Sequence, residues 1–161
     1  MAGRSFDAQT IVDGQIAIAF TEGVVTLVLR VDEWDLEVAE RLYAESTVLT
    51  HANPHTVVQI LGEGPNAAVR KRLADLQASL DEEMPVDGER RVAVIIGSAV
   101  MRGAVTALRW VTGDQIRGFA PDAAYEAAVW AAGHGGAAEA VFLAFQDCMN
   151  LMAPEQQRTG N

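Results

Sequence analysis

The chain has 161 residues, of which 50% are hydrophobic and 21% are charged, so it can bury one sizeable core and is expected to form one domain. Its 12 Lys and Arg residues against 22 Asp and Glu residues give a formal net charge of -10, which argues against general binding to nucleic-acid phosphates or anionic lipid surfaces. The single cysteine, Cys148, excludes an internal disulfide and a cysteine-based zinc site.

The amino-terminal part of the chain predicts a hairpin followed by a helix. Residues 1–10 have no apolar core of signal-peptide length, and no stretch approaches the roughly 20 apolar residues of a membrane span, so we expect a cytoplasmic protein without membrane insertion. Residues 15–20 and 24–29 are apolar runs joined by a turn, which is typical of an antiparallel hairpin. Asp32 is placed to cap a helix that runs to about residue 50, with Val31 and Leu36 forming a hydrophobic staple.

The middle of the chain alternates strands with helices. Residues 56–61 and 92–96 are short apolar runs, which indicates strands within a sheet, and residues 115–119 are predicted to form a further brief strand. A helix follows each of these strands. The first has an apolar stripe formed by Val69, Leu73, Leu76 and Leu80. Ser98 is predicted to cap the second helix, and the third is rich in alanine over 122–132. The order predicts an α/β fold with a mixed sheet of about five strands, namely the hairpin and then β-α units, covered by packed helices and an extra carboxy-terminal helix.

The carboxy-terminal helix has more apolar surface than one buried face uses. The predicted division of the chain is an α/β domain over 1–132, a glycine hinge over 133–136, an apolar helix over 137–152 and a polar tail over 153–161. Either this helix packs over the sheet of its own chain, or a second copy or another protein covers its excess apolar surface. The interaction residues predicted on it are Val141, Phe142, Phe145, Met149 and Met152.

Three parts of the chain carry a family resemblance. Residues 92–108, then Phe119, then the group Glu126-Ala127-x-x-Trp130, resemble the second half of divergent STAS-like proteins of the anti-sigma-factor-antagonist type, and the likeness extends over residues 14–132. The resemblance implies a mixed sheet with helices against it and a role in binding proteins or small ligands without catalysis. Phosphorylated members have a serine in the turn after the third strand, whereas residues 62–66 contain no hydroxyl group. Glu63 would supply only a permanent negative charge near a helix amino terminus.

The candidate catalytic and metal-binding groups have simpler explanations. His51 and His55 are four residues apart, but Pro54 prevents a helix from placing them on one face. Ser98 follows a strand, as a hydrolase nucleophile does, but the second glycine of a nucleophile elbow is absent and no histidine can be assigned as its base. We therefore expect no catalytic residue and no metal, and we expect Ser98 to cap a helix.

Two further motifs lie between residues 62 and 72. Residues 62–67 loosely match a dinucleotide loop, yet Glu63 would repel a pyrophosphate and Pro65 removes a backbone donor, so no cofactor is expected. Arg70, Lys71 and Arg72 form a dense basic cluster in this acidic protein. The cluster is either a docking patch for an acidic partner or a solvated face, and the fanning of consecutive helical residues favours the solvated face.

The leading hypothesis is a non-enzymatic interaction or regulatory module that acts through its terminal helix, either as a homodimer or by docking a protein partner. The alternative is a carrier or sensor that holds a small apolar ligand between the sheet and the terminal helix. Phe119 and Trp130, with Phe142 and Phe145, would then form the walls of the ligand site, and residues 133–136 would act as a gate.

Overall fold

The computed structural model describes residues 5–50, 55–85, 88–112, 115–133 and 135–153, with no side-chain description at 48–50, 108–112, 115 and 135. The strands in these ranges are β1 Phe6–Ile11, β2 Ile16–Thr21, β3 Val24–Arg30, β4 His55–Leu61, β5 Arg91–Ile96 and β6 Gln115–Phe119. The helices are α1 Leu36–Thr50, α2 Ala67–Glu83, α3 Ala99–Thr112, α4 Ala124–Ala132 and α5 Gly135–Leu151. A single 3-10 turn, Pro121–Ala123, precedes α4.

The six strands form one mixed sheet in the same order as the sequence, from β1 to β6. β1, β2 and β3 pair antiparallel, and β3, β4, β5 and β6 pair parallel. The predicted α/β class with a mixed sheet is confirmed. The two antiparallel pairs come from tight turns, and the parallel pairs come from the β-α-β crossovers that α1, α2 and α3 provide.

The strand that the sequence analysis missed is β1. Exposure alternates from Phe6 to Gln9, with Phe6 and Ala8 partly covered and Asp7 and Gln9 exposed, and Ile11 at the end of the strand is partly covered. β1 lies at the edge of the sheet, and its register with β2 shifts between Phe6 and Gln9. An edge strand with a bulge needs few apolar residues, so this strand looks like a polar terminal segment in the sequence.

The hairpin between β2 and β3 forms at the predicted position. Glu22 and Gly23 have φ values of 52° and 76°, so the connection is a two-residue turn with both residues in the left-handed region. Such turns match the right-handed twist of the flanking strands, and glycine occupies the second position without a steric penalty.

One face of the sheet is covered by α1, α2 and α3. Right-handed crossovers between successive parallel strands place all three helices on the same side. Ile16, Ile18 and Val25 pack there with Leu42 of α1, and Val94 and Ile96 pack with Val105 of α3. Of the described side chains of α2, only Val69 is buried. The tyrosine hydroxyl of Tyr43 on α1 contacts the carbonyl oxygen of Leu76 at 3.3 Å, which joins α1 to α2.

The opposite face is covered by α4 and α5, so the molecule has three layers. Val24, Val28 and Val57 point to this side, together with the small residues Ala17 and Ala19. Small side chains on both sides let the backbones of sheet and helix approach closely. The side chains of the two helices that complete this core are Ala124, Ala127, Ala128, Ala131, Val141, Phe145, Cys148 and Met152.

Side-chain caps define where the first three helices begin. Asp35 Oδ1 accepts a hydrogen bond from the Val38 amide at 2.8 Å, so Asp35 caps α1 and the prediction of Asp32 is wrong. Asn66 accepts from the Val69 amide in the same way at the start of α2. Ser98 Oγ accepts from the Met101 amide at 3.3 Å, which confirms the predicted cap of α3.

Candidate interaction face

α5 packs on the sheet of its own chain. Val141, Phe145 and Met152 are buried there against β2 and β3, together with Cys148. These three predicted interaction residues are therefore core residues that a partner cannot reach in this structure, which corrects the expectation that a partner is needed to cover them. The helix can hide more than one face because the sheet lies under it and α4 covers a second side.

The other two predicted residues of α5, Phe142 and Met149, are half-buried where α5 meets α4. The ring of Phe142 makes an edge-to-face contact with Tyr125 of α4, with the centroids 5.4 Å apart. On its other side Phe142 stacks on Phe145 at 6.3 Å. A ring held between two aromatic neighbours has a fixed orientation, so Phe142 presents a rigid apolar surface at the junction of the two helices.

Large apolar side chains are exposed on the outer side of these two helices. Tyr125, Val129 and Leu143 are 48%, 36% and 54% exposed. We define the α4–α5 face by these three residues and Phe142. Tyr125 and Val129 are four residues apart on α4, so they lie on the same side of that helix. Three other large apolar residues are exposed among the described side chains, Leu36, Met84 and Val100, and they lie at separate helix ends.

Acidic side chains are exposed on the same two helices and on the turn before α4. Asp122, Glu126, Glu139 and Asp147 are all exposed, and the sequence has no Lys or Arg between residues 118 and 157. None of the four carboxylates forms an ion pair within the described part of the chain. The sequence analysis did not select these residues, although the absence of basic residues is visible in the sequence.

The predicted basic cluster does not form one patch. Arg70 turns inward and donates to the carbonyl oxygen of Pro65 at 2.8 Å. Lys71 pairs with Asp75 on α2, and Arg72 reaches Glu40 on α1 with an N–O distance of 2.7 Å. Because two of the three cations point to other parts of the same chain, only Lys71 projects fully into solvent. The geometry agrees with the solvated face, the alternative that the sequence favoured.

The predicted ligand walls are packed against protein groups. Phe119 is buried, and its ring centroid lies 6.0 Å from that of Trp130. The Arg117 guanidinium lies over the same Phe119 ring at 5.3 Å. Neither Phe119 nor Trp130 lines the cavities described below. The two rings therefore contribute to the packing of β6 and α4, and no ligand space opens between them.

The predicted glycine hinge is shorter than expected. Gly133 ends α4 in the left-handed conformation, and its amide donates to the carbonyl oxygen of Val129 at 3.0 Å. α5 begins at Gly135, so two of the four predicted hinge residues belong to the helix. His134 lies outside the described residues, as does His51 of the predicted histidine pair.

Two surface cavities lie elsewhere. A cavity of about 640 Å³ lies at the carboxyl ends of β3 and β4, lined by residues that include Arg30, Asp32, Trp34, Glu63 and Gly64. A second, of about 270 Å³, lies between α5 and the first two strands and is lined by residues that include Phe6, Phe20, Leu143, Ala144 and Asp147. Sequence reasoning found neither cavity, because both depend on how separate elements meet.

The titratable groups of the interior are held by structural contacts. Arg91 donates from Nη1 to the carbonyl oxygen of Trp130 at 3.2 Å, and its Nη2 lies 3.5 Å from His55 Nε2. Burial first and the Arg91 charge second lower the pKa of His55. Burial, with a smaller effect of Asp147, raises the pKa of Cys148 to about 12, so its thiol is unreactive at neutral pH. Across the described residues, no group of three His, Cys, Asp or Glu side chains is arranged to hold a metal ion.

The architecture is that of a three-layer α/β protein with an acidic, apolar helical face. Among the helices described, none combines the length and apolar character needed to cross a membrane. Comparison with protein-family models, with the curated proteins and with the solved structures finds no match. The resemblance to STAS-like proteins stays a prediction.

Proposed function

We propose that this protein is a non-enzymatic interaction module that docks another protein on its α4–α5 face. The observation that carries the proposal is the exposure of Tyr125, Val129 and Leu143 on two helices that pack against each other. Single exposed apolar residues are normal, whereas several on one pair of packed helices are typical of binding surfaces. The regulatory role implied by the STAS-like resemblance and a cytoplasmic location belong to the same proposal.

The rigidity of the α4–α5 face supports this function. Tyr125 is held edge-on against Phe142, and Phe142 is held by the buried ring of Phe145. Binding costs less side-chain entropy when the anchors are already ordered. Burying a large apolar side chain completely is worth about 1.5–3 kcal/mol, so covering the remaining exposed part of each anchor contributes on the order of 1 kcal/mol. Tyrosine is also among the residues enriched in the energetic centres of interfaces.

Photocrosslinking in the native cells tests the proposal. A photoreactive phenylalanine analogue at position 125 is expected to give one discrete product of higher mass than the chain. The same analogue at exposed Ala78 on α2, on the opposite layer, is expected to give none. A product of twice the chain's mass would make a second copy the occupant, and equal labelling from both positions would remove the support for a docking face.

A pair of double variants provides the matched control. Val129→Ser with Leu143→Ser removes two exposed anchors of the α4–α5 face, and Leu36→Ser with Val100→Ser makes the same substitutions at two exposed apolar residues elsewhere. The crosslink from position 125 is expected to disappear in the first variant and to persist in the second. Persistence in both would mean that the apolar anchors do not bind the partner.

A second candidate function is the binding of a small ligand at the cavity of about 640 Å³. This volume lies within the range of about 300–1,000 Å³ that small-molecule sites occupy. The cavity between α5 and the first two strands lies closer to the ligand site predicted from the sequence, between the sheet and the terminal helix. It is smaller, about 270 Å³. Native mass spectrometry of freshly isolated protein tests the alternative: a reproducible excess mass supports a ligand, and the bare chain mass alone contradicts it.

A further inference from the structure

We infer that the α4–α5 face recognises a positively charged amphipathic segment of a partner protein, and that a second copy of the same face is not its partner. This rests on the proposed function, since it specifies the chemistry of the partner that the face would dock. It follows from how charge is distributed over the three layers of the molecule.

The described part of α4 and α5 has carboxylates and no Lys or Arg side chain. Asp122, Glu126, Glu139 and Asp147 are exposed on α4, on α5 and on the turn before α4. Within the described portion of this layer, no Lys or Arg balances them, and the surrounding sequence has none between residues 118 and 157. Four uncompensated carboxylates on this part of the molecule create a local negative potential that attracts a cationic partner.

The opposite layer is different because basic side chains lie among its acids and pair with some of them. Arg41 lies 2.7 Å from Asp13, and Arg72 lies 2.7 Å from Glu40. All of the ion pairs found among the described residues lie within residues 13–90, in the part of the chain that precedes β5. Residues 31–90 still contain 13 Asp and Glu residues against 5 Lys and Arg residues, so this layer is also net negative. The α4–α5 layer differs because no Lys or Arg lies among its described carboxylates.

This distribution excludes several occupants of the α4–α5 face. A two-fold symmetric dimer brings the same patch of both copies together, so four carboxylates from each chain would meet across the interface. Like charges placed opposite each other at an interface cost several kcal/mol. Nucleic acids and anionic lipid surfaces are repelled for the same reason.

The partner that fits has apolar anchors flanked by Lys or Arg. An amphipathic helix meets this requirement, since it presents apolar side chains at helical spacing with basic side chains beside them. Its apolar stripe would cover Tyr125, Val129, Phe142 and Leu143, while its basic residues would lie opposite the exposed carboxylates. The electrostatic part of such binding speeds association and weakens as salt is added.

Two synthetic helical peptides test the inference on the full chain. Both have leucines at the same positions; one has lysines and the other glutamates at the flanking positions. Titration followed by amide chemical shifts is expected to show the lysine peptide perturbing α4 and α5, with an affinity at least about tenfold above that of the glutamate peptide. The affinity of the lysine peptide is expected to fall as NaCl is raised from low to physiological concentration.

Charge-reversal variants identify the carboxylates responsible. Glu126→Lys with Glu139→Lys changes the α4–α5 face, and Glu82→Lys with Glu83→Lys makes the same change in net charge at exposed positions of α2. The first pair is expected to lower the affinity for the lysine peptide by about tenfold, and the second pair is expected to lower it by less than about twofold. Circular dichroism checks that each variant is folded. Glu126→Gln with Glu139→Gln removes the charges without reversing them, so it is expected to give an intermediate loss of affinity.

The outcomes separate this inference from the proposed function. If the glutamate peptide binds α4 and α5 as tightly as the lysine peptide, the docking face stands and its charge preference is overturned. If neither peptide perturbs these helices while the position 125 crosslink forms, the partner is not a cationic helix. A missing crosslink would remove the docking face itself, and light scattering that shows a dimer broken by Glu126→Lys would overturn the exclusion of a second copy.

Discussion

At the level of single residues, Arg91 connects the amino end of β5 to the end of α4. Its guanidinium donates to the carbonyl oxygen of Trp130 and lies so close to Gly133 that a Cβ there would be 2.5 Å from Nη1. Gly133 also has a φ of 79°, a conformation that disfavours every residue with a Cβ. The backbone conformation and the nearby guanidinium therefore both favour glycine at the junction between α4 and α5.

The first prediction concerns this glycine. Gly133→Ala is expected to lower the free energy of unfolding by about 1–2 kcal/mol, because the left-handed backbone is strained and the Arg91 guanidinium must move away from Trp130. Gly103→Ala is the control, since Gly103 lies within α3 with no atom near its missing Cβ. Alanine there is expected to be neutral or to stabilise by up to about 1 kcal/mol. Urea denaturation measures the free energy of unfolding of both variants. Equal changes in the two would contradict a special preference for glycine at position 133.

The second prediction concerns pH and His55. Burial and the neighbouring Arg91 lower the pKa of His55 in the folded state, while Glu89 opposes them. The unfolded chain therefore binds a proton at a higher pH than the folded chain does. This contribution to stability is complete above the unfolded pKa of about 6.5 and is lost as pH falls through the lower folded pKa.

Denaturation of the wild type and His55→Gln at pH 7.5 and pH 5 measures this effect. The wild type is expected to lose more stability than the variant over this interval, because only the wild type must place an imidazolium beside Arg91. The carboxyl groups are the same in both chains, so their contributions to the pH dependence of stability cancel in the comparison. Parallel loss in the two chains would show that His55 does not carry the pH dependence.

At the level of elements, local sequence signals predicted most of the sheet and its helices. The turn at Glu22 and Gly23 and the cap at Ser98 depend on a few adjacent residues, and both lie where the sequence predicted them. The cap of α1 was misplaced by three residues because Asp32 and Asp35 both have the required side chain. Only the hydrogen bond from the Val38 amide distinguishes them.

The candidate site was harder to predict because it depends on what covers each helix. Periodicity showed that α5 is apolar on several sides, but it could not show that the sheet buries Val141 while α4 only half-covers Phe142. Tyr125 and Val129 were not selected, because their significance arises from the neighbouring helix. The uninterrupted run without basic residues was the signal in the sequence that could have located the face.

A third prediction tests whether α5 remains attached to the sheet. Cys148 is fully buried, and its pKa of about 12 keeps the thiol protonated at neutral pH. Reaction with a thiol reagent is therefore expected only when the chain unfolds, and its rate should rise with denaturant in step with global unfolding. Rapid labelling in native buffer would instead show that α5 pivots at the glycines, as the gate hypothesis requires.

At the level of the whole molecule, the sheet is stable only when both of its faces are covered. β2 and β3 place fully buried residues on both sides, with Ile16 and Val25 under the α1–α3 layer and Ala17 and Val28 under α5. A central strand that is apolar on both faces cannot remain exposed to water on one of them. This arrangement makes α5 part of the core, whereas its outer side and α4 form the surface proposed for docking.

The last prediction follows from that requirement. A chain ending at Gly133 would uncover Val24 and Val28 and lose the buried side chains of Val141 and Phe145. Each large side chain contributes about 1.5–3 kcal/mol, and their sum is a large fraction of the roughly 5–15 kcal/mol that stabilises a domain. We expect this chain to lose its near-ultraviolet circular dichroism and its cooperative unfolding, and to bind a hydrophobic dye. A chain ending at residue 153, which keeps all of α5, is the control and is expected to unfold like the full chain. If the chain ending at Gly133 kept the full-length unfolding midpoint, α5 would be an appendage, and its buried side chains would again be available to a partner.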